Sequence, residues 1–175
     1  MSPERQLDPE ALGDHLDRLY RAARALCGSR EEAEDLVQET FARVLRKPRI
    51  LRSEDDLGYL LRVLRNTFIS TRRAAARRPQ ATAPPETLDM IEDRSSAQPE
   101  ARIEAEEVYA AISALPDDFR DAVVAIDMIG LSYREAARSL GVREATITTR
   151  LHRGRQRIAR TLSGEAPQEV ARERD

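Results

Sequence analysis

The stretch 131–160, LSYREAARSLGVREATITTRLHRGRQRIAR, decides the fold of the carboxyl-terminal part of this chain. Ser132 followed by Glu135 is a capping box, in which the serine oxygen accepts a backbone N–H and the glutamate accepts the amide N–H of the serine. Gly141 can adopt the left-handed backbone conformation that ends a helix. The pattern predicts a helix of about two turns, a glycine turn and a second helix from about Glu144.

The second helix separates apolar residues from donors. Ile147, Leu151 and Ile158 recur on its buried side, and its outer side carries Thr148, Thr149, Arg153 and Arg157. A short helix, a glycine turn and a longer basic helix form a helix-turn-helix, whose second helix fits the major groove of DNA. The alternative is a helical hairpin with a solvated basic face, but the coincidence of capping box, turn glycine and polar face favours the helix-turn-helix.

Composition favours an all-α protein without a metal site. The chain has 175 residues, enough for one ordinary domain or two small ones, and aromatics make up only 4% with no tryptophan, which indicates small aliphatic cores. The single cysteine, Cys27, and the two histidines, His15 and His152, give no zinc-site spacing, and no cofactor is expected. No signal peptide and no membrane span are expected, so the sequence predicts a cytoplasmic protein.

Charge is distributed unevenly, although the formal net charge is only −2. No Asp or Glu occurs between Leu57 and Pro85, where six arginines cluster, and five more arginines lie within residues 150–160. Phosphate binding depends on the local field, so two basic patches are compatible with DNA binding.

The first half of the chain predicts three amphipathic helices. The first runs from Ala11 to Cys27, and the second begins at Ser29 with Glu32 completing a capping box and ends before Pro48. The predicted inward residues of the second helix are Ala33, Val37, Phe41, Val44 and Leu45. Asp35, Gln38, Glu39 and Arg46 share its other face. A charged outer face is usually solvated, and composition alone assigns it no other role.

The third helix is predicted from Leu57 to Phe68. Ser70 and Thr71 disfavour a helix interior, so a loop or a helix restart is expected there. Four arginines follow, Arg72, Arg73, Arg77 and Arg78. These donors predict a surface that faces nucleic acid, with a solvated basic helix end as the alternative.

The predicted architecture is two small helical domains joined by a flexible linker, the second domain being the helix-turn-helix. Residues 1–10 form a frayed lead-in, 11–78 the first domain, 79–100 a proline-rich linker, 101–162 the second domain and 163–175 a disordered tail. Ile103, Val108, Ile112 and Leu115 are predicted to start the core of the second domain. Pro116 then opens the next helix.

Three segments resemble a known family in order and spacing: EDLVQETFARVLR (34–46), YLLRVLRNTFISTRR (59–73) and LPDDFRDAVVAIDMIGLSYREAARSLGVREATITTRLHRGRQRI (115–158). They are similar to the sigma factors of the extracytoplasmic function (ECF) group of bacterial RNA polymerase. The resemblance extends from about Leu19 to Leu162, leaving out the linker. It implies a promoter-specificity subunit with core RNA polymerase and promoter DNA as partners and an anti-sigma protein as a regulator. The linker would thread through the RNA-exit path of the polymerase.

The resemblance also assigns residues. The first segment implies that Asp35, Gln38 and Glu39 dock on the clamp helices of the largest polymerase subunit. The −10 element would be recognised and melted by Arg65, Asn66, Ser70, Thr71, Arg72 and Arg73. The −35 element would be read by Arg143, Thr148, Thr149, Arg150, His152 and Arg153. A base that leaves the stack costs a few kcal/mol, which a polar pocket and backbone-holding arginines offset.

Several positions depart from the pattern of the family. Arg143 stands where a serine or threonine often caps the recognition helix, so that helix begins less firmly or uses the arginine for a phosphate. Leu45 and Tyr59 replace frequent tryptophans, and both can serve as core residues. His152 has two equally compatible roles: it contacts DNA, or it is exposed on the helix without a function.

Two other classes of protein compete with the sigma factor. A dimeric helix-turn-helix regulator would need a dimerisation helix, but no long apolar seam follows Arg160, and the basic region at 62–78 would be superfluous. An enzyme that acts on nucleic acid has the least support, since there is no paired-carboxylate metal motif, phosphate loop or nucleophile-and-base arrangement.

Overall fold

The computed structural model describes residues 5–7, 10–46, 50–51, 56–78 and 99–165. Within these residues the chain is helical, which confirms the predicted all-α class, apart from two short strands. The elements are β1 (Arg5–Gln6), α1 (Ala11–Asp14), α2 (Leu16–Cys27), α3 (Arg30–Arg46), β2 (Ile50–Leu51), α4 (Asp56–Arg77), α5 (Pro99–Ser113), α6 (Asp117–Val123), a π-helical turn (Val124–Met128), α7 (Tyr133–Leu140) and α8 (Glu144–Leu162). The predicted linker up to residue 98 and the tail from residue 166 lie outside the described residues.

Helices α2, α3 and α4 form the first domain around fully buried leucines. Gly28 adopts a φ of 75° and ends α2, with its N–H donating to the carbonyl of Arg24 over 2.8 Å. The Glu32 amide donates to Ser29 Oγ over 3.3 Å at the start of α3. The largest side chains buried at the centre of this domain are Leu19, Leu60, Leu61 and Leu64.

Three local predictions for the first domain are wrong. The helix expected from Ala11 to Cys27 is interrupted at His15. The predicted frayed lead-in is ordered at residues 5–7, because β1 pairs antiparallel with β2 and Leu7 is buried. No loop or restart occurs at Ser70 and Thr71, since α4 continues to Arg77. The Thr71 hydroxyl donates to the carbonyl of Thr67 over 2.9 Å, so it is satisfied inside the helix rather than competing with it.

Two predicted core residues are exposed. Leu45 is 53% exposed in the last turn of α3, because the buried stripe of that helix ends on Val44, about 100° around the axis from Leu45. Ile103 is 61% exposed on α5, whose residues up to Glu107 are all exposed. Helical spacing alone does not predict which turns of α3 and α5 pack against another helix.

The second domain contains the predicted helix-turn-helix. At the start of α7, Glu135 N donates to Ser132 Oγ over 3.3 Å and Ser132 N donates to Glu135 Oε2 over 2.7 Å, which confirms the capping box. Gly141 ends α7 with a φ of 69°. Where α8 crosses α6, Gly154 is buried, and a Cβ built on it would lie 2.7 Å from Val123 Cγ2. This close crossing fixes the position of α8.

The two domains pack against each other and share one hydrophobic core. Helix α2 contacts α5 and the π-helical turn, and α4 contacts α7. Ser139 Oγ on α7 donates to the Gly58 carbonyl on α4 over 2.8 Å, and both residues are buried. Arg24, 3% exposed on α2, forms an ion pair with Glu106 on α5. The sequence predicted two domains but gave no indication of this packing.

Candidate polymerase and nucleic-acid interfaces

The outer face of α3 presents polar side chains to solvent. Asp35 and Gln38 are exposed, and the side chain of Glu39 is 44% exposed. Arg43 Nε donates to Glu39 Oε1 over 2.8 Å, and this hydrogen bond lowers the pKa of Glu39 from its ordinary value. The face lies opposite the buried residues Ala33, Leu36, Val37, Thr40 and Val44. An exposed i,i+4 pair contributes little to stability, so the residues of this face are available to a partner.

The carboxyl-terminal half of α4 carries the predicted −10 residues on a helix rather than a loop. Asn66 is exposed, and so are the consecutive Ser70, Thr71, Arg72 and Arg73. The Arg72 guanidinium lies 5.4 Å from the centre of the buried Phe68 ring. The helix therefore orients these donors along a rigid element.

A groove of about 900 Å³ joins the two faces. Asp35 and Glu39 line one wall, and Ser70, Thr71 and Arg72 line the other. The sequence placed these residues on separate helices and could not predict that they border one groove.

Cys27 also lines this groove. Burial raises its pKa to about 12, with the neighbouring Glu32 carboxylate adding to the shift. Because the thiolate is the reactive form, the raised pKa keeps Cys27 in the unreactive thiol form at neutral pH.

Arg65 differs from the other predicted −10 residues because it is already paired. Its Nε donates to Asp121 Oδ2 on α6 over 2.6 Å, and the Asp121 side chain is only 8% exposed. Burial raises the pKa of Asp121, while the hydrogen bond from Arg65 opposes that shift. Arg65 is therefore not free to meet DNA in this conformation.

The outer face of α8 is open. Thr148, Thr149, His152 and Arg153 are exposed, while Ile147, Leu151 and Gly154 face the core. The hydroxyls of Thr148 and Thr149 donate to the carbonyls of Glu144 and Ala145, each over 3.1 Å. Their oxygen lone pairs remain available as acceptors.

Two other predicted −35 residues lie at the edges of this face. Arg143 occupies the N-cap of α8 with φ −81° and ψ 152°, and it makes no side-chain capping bond. Arg150 is 25% exposed and donates to Asp118 Oδ2 on α6 over 2.8 Å. Arg150 therefore also tethers α8 to α6, a role that the sequence did not indicate.

Comparison with known proteins assigns the family. Sigma-70 region 2 matches residues 12–78, and sigma-70 region 4 matches residues 105–158. The ECF RNA polymerase sigma factor SigM of Mycobacterium tuberculosis is 36% identical over 149 residues, which cover 85% of this chain and 73% of SigM. The chain belongs to the ECF family of RNA polymerase sigma factors.

Two further relatives agree with this assignment. The ECF sigma factor SigE of Mycolicibacterium smegmatis is 40% identical over 153 residues; the match covers 85% of this ECF sigma factor but only 59% of SigE. The sigma factor RpoE, solved in complex with the anti-sigma factor NepR from Bartonella quintana, superposes with a TM-score of 0.66 at 25% identity, covering 90% of this chain and 97% of RpoE.

In the part of this ECF sigma factor that the structure describes, no helix is both long enough and apolar enough to cross a membrane. The same residues contain no group of three or more His, Cys, Asp or Glu side chains that could hold a metal ion.

Proposed function

We propose that this chain is the promoter-specificity subunit of a bacterial RNA polymerase, with no chemistry of its own and acting in the cytoplasm. Region 2, residues 11–78, docks on the core enzyme and recognises and melts the −10 element, and region 4, residues 101–162, reads the −35 element. One observation carries the proposal: an exposed polar face on α3 and exposed donors on α4 border one groove, while the recognition helix α8 presents a separate open face.

The polymerase contact is assigned to Asp35, Gln38 and Glu39. Two carboxylates and an amide on one face can accept and donate hydrogen bonds to basic and polar side chains of a partner helix. None of the three is buried, so the core of region 2 does not require them. A role in binding explains a polar face that packing leaves unused.

The −10 contact is assigned to Arg65, Asn66, Ser70, Thr71, Arg72 and Arg73. The exposed Arg72 and Arg73 hold phosphates, and Arg65 joins them only once its pair with Asp121 is broken. The amide and the hydroxyls hydrogen-bond an unstacked base. The cation–π contact of Arg72 with Phe68 holds its guanidinium at the groove.

The −35 contact is assigned to Arg143, Thr148, Thr149, Arg150, His152 and Arg153. Exposed side chains on successive turns of α8 match the way a recognition helix meets base edges and phosphates. Arg150 meets DNA only at its exposed edge, because its guanidinium also holds Asp118.

An anti-sigma protein is the proposed regulator. The support is the structural likeness to RpoE, which was solved in complex with the anti-sigma factor NepR. Such a partner would bind this chain and compete with the polymerase.

The docking assignment is tested by replacing Asp35, Gln38 and Glu39 together with alanine and measuring co-elution with core polymerase. Because the three side chains are exposed, the variant should keep its unfolding free energy within roughly 0.5 kcal/mol for each position but lose polymerase binding. The matched control replaces Glu100 and Glu104 on α5 with alanine. Both residues are exposed, and their replacement also removes two negative charges.

Equal polymerase binding by the variant and the control would remove the docking assignment. Unfolding of the variant would indicate that these three side chains stabilise the fold instead of binding polymerase. Tight sequence-specific DNA binding by a dimer of this chain without polymerase would instead support an ordinary helix-turn-helix regulator.

A further inference from the structure

Two arginines of α8 reach back to the helical turns that precede α7 instead of pointing outward. Arg150 Nη2 donates to Asp118 Oδ2 on α6 over 2.8 Å. Arg155 makes a forked pair with Asp127 in the π-helical turn, in which Nε donates to Oδ2 over 3.0 Å and Nη2 donates to Oδ1 over 2.5 Å. Two parallel bonds from one guanidinium fix a direction as well as a distance.

The two pairs lie on opposite flanks of the buried stripe of α8. That stripe consists of Ile147, Leu151 and Gly154. Each helical residue turns the chain by about 100°, so Arg155 lies about 100° from Gly154 in one sense around the axis and Arg150 about 40° in the other. At the crossing itself glycine has no side chain to interlock with α6. Pairs on both flanks, by contrast, oppose rotation of α8 about its own axis in either sense.

The π-helical turn brings Asp127 within reach of α8. The nine-residue interval from Asp118 to Asp127 is about two and a half α-helical turns, so the two carboxylates would lie on opposite sides of a continuous α-helix. In the π-helical turn the Ile129 N–H donates to the Val124 carbonyl, five residues back, over 3.0 Å, so that this turn takes in more residues. Both carboxylates consequently face α8. Single π-helical turns are rare and often lie at functional sites.

The Arg155–Asp127 pair adds little to the stability of the domain. The side chain of Arg155 is 54% exposed and that of Asp127 is 28% exposed. Ion pairs that water reaches contribute little to the free energy of unfolding. The fork can nevertheless select one orientation of α8 among several that the apolar stripe allows.

A small rotation of α8 would displace the side chains of its outer face. These lie about 5–6 Å from the helix axis, so a rotation of about 20° moves them by about 2 Å. Such a shift breaks a hydrogen bond to a base edge, whose length varies by only a few tenths of an ångström. We propose that Arg155 and Asp127 are positioning residues: they do not touch DNA but hold α8 at the rotation at which its outer face reads base edges. The inference rests on the proposed function, because it assumes that α8 reads the −35 element.

Four variants test the pair: Asp127→Asn, Arg155→Lys, Arg155→Gln and the double variant Asp127→Asn with Arg155→Gln. Asparagine keeps the size of Asp127 without its charge, and lysine keeps the charge of Arg155 without its fork. The matched control is Asp17→Asn on α2, which removes one carboxylate from an exposed position far from α8 in sequence.

Each chain is assembled with core polymerase, and its affinity is measured for two duplexes of equal length. One duplex is a sequence that polymerase with the wild-type chain enriches from a random pool, and the other is an unselected mixed sequence. The ratio of the two affinities measures base reading. The dependence of the mixed-sequence affinity on salt measures phosphate contacts.

Every variant of the pair is expected to lower the ratio by about tenfold, which is within the discrimination that one base contact supplies. The mixed-sequence affinity and its salt dependence should stay as in the wild type, because no phosphate contact is removed. Arg155→Lys should lose as much as Arg155→Gln, since charge without the fork does not set an orientation. The double variant should lose no more than either single variant, because each change removes the same interaction. Asp17→Asn should keep the ratio of the wild type.

An unchanged ratio in the variants of the pair would overturn the proposal, and so would full retention of the ratio by Arg155→Lys. Weaker binding of both duplexes by Arg155→Gln with a shallower salt dependence would show that Arg155 is a phosphate contact instead. Losses that add up in the double variant, or variants that unfold, would equally overturn a positioning role. Failure of the proposed function is distinct, since the wild-type chain would then enrich no sequence beyond those that core polymerase enriches alone.

Discussion

Gly154→Ala tests the crossing that fixes the recognition helix. Alanine is favoured over glycine in a helix interior by about 0.5–1 kcal/mol, so propensity alone predicts a more stable protein. The added Cβ, however, would lie 2.7 Å from Val123 Cγ2 and 3.3 Å from the carbonyl oxygen of Phe119. Val123 is 1% exposed and its β-branched side chain is stiff, so the backbone must shift.

Overpacking of this kind costs about 1–3 kcal/mol, which exceeds the propensity gain. We expect a net loss of about 1–2 kcal/mol and a Tm lower by roughly 2–8 °C in a thermal melt followed by circular dichroism. The control is Gly13→Ala on α1, where nothing lies within 4 Å of the new Cβ, and its stability should be unchanged or slightly raised. A Gly154→Ala protein at least as stable as the wild type would show that α6 and α8 do not cross this closely.

Three further predictions concern single residues. Arg143→Ser should raise the free energy of unfolding by about 1 kcal/mol, because the backbone at the N-cap of α8 is already extended and lacks a side-chain acceptor. Arg143→Ala should raise it by less. Urea unfolding measures both variants, and equal free energies would contradict a capping role for the serine. Burial raises the pKa of Cys27 to about 12, so less of it is thiolate in the folded chain. At pH 8 it should therefore react with a thiol reagent on the order of a thousandfold more slowly in the folded than in the unfolded chain. Equal rates in the two states would contradict its burial. Hydrogen bonds from Ser132 lower the pKa of Glu135, so the stabilisation by its carboxylate is present above the ordinary value of 4.5 and is lost as pH falls through the folded pKa. The advantage in unfolding free energy over Glu135→Gln, a few tenths of a kcal/mol after screening, should therefore shrink as the pH is lowered below 4.5, and an advantage independent of pH would contradict this linkage.

Local signals predicted the helix-turn-helix well because each depends on a few adjacent residues. The Ser132–Glu135 box and the turn at Gly141 need only the chain around them, and both are present. The same reasoning failed at Ser70 and Thr71, where a hydroxyl bond to the preceding turn satisfies the polar group and the helix continues.

Interactions between distant residues could not be predicted from the sequence. Arg65 and Asp121 are separated by 55 intervening residues, which include the linker, and only tertiary packing reveals that they pair. Gly154 carries no local turn signal, and its role depends on Val123 of another helix. Leu45 follows the helical period closely enough to be assigned to the core, yet it lies just beyond the buried stripe of α3.

The role that we propose for this chain is to direct polymerase to promoters. The most direct measurement is transcription from a fragment library of genomic DNA by core polymerase with and without the purified chain, with the 5′ ends of the transcripts mapped. We expect transcripts that depend on the chain and whose upstream sequences align at two elements, near −10 and −35, and that are lost with the Asp35, Gln38 and Glu39 alanine variant. A chain that binds core polymerase yet adds no transcript start would contradict the proposed function, and so would added starts that share no upstream sequence.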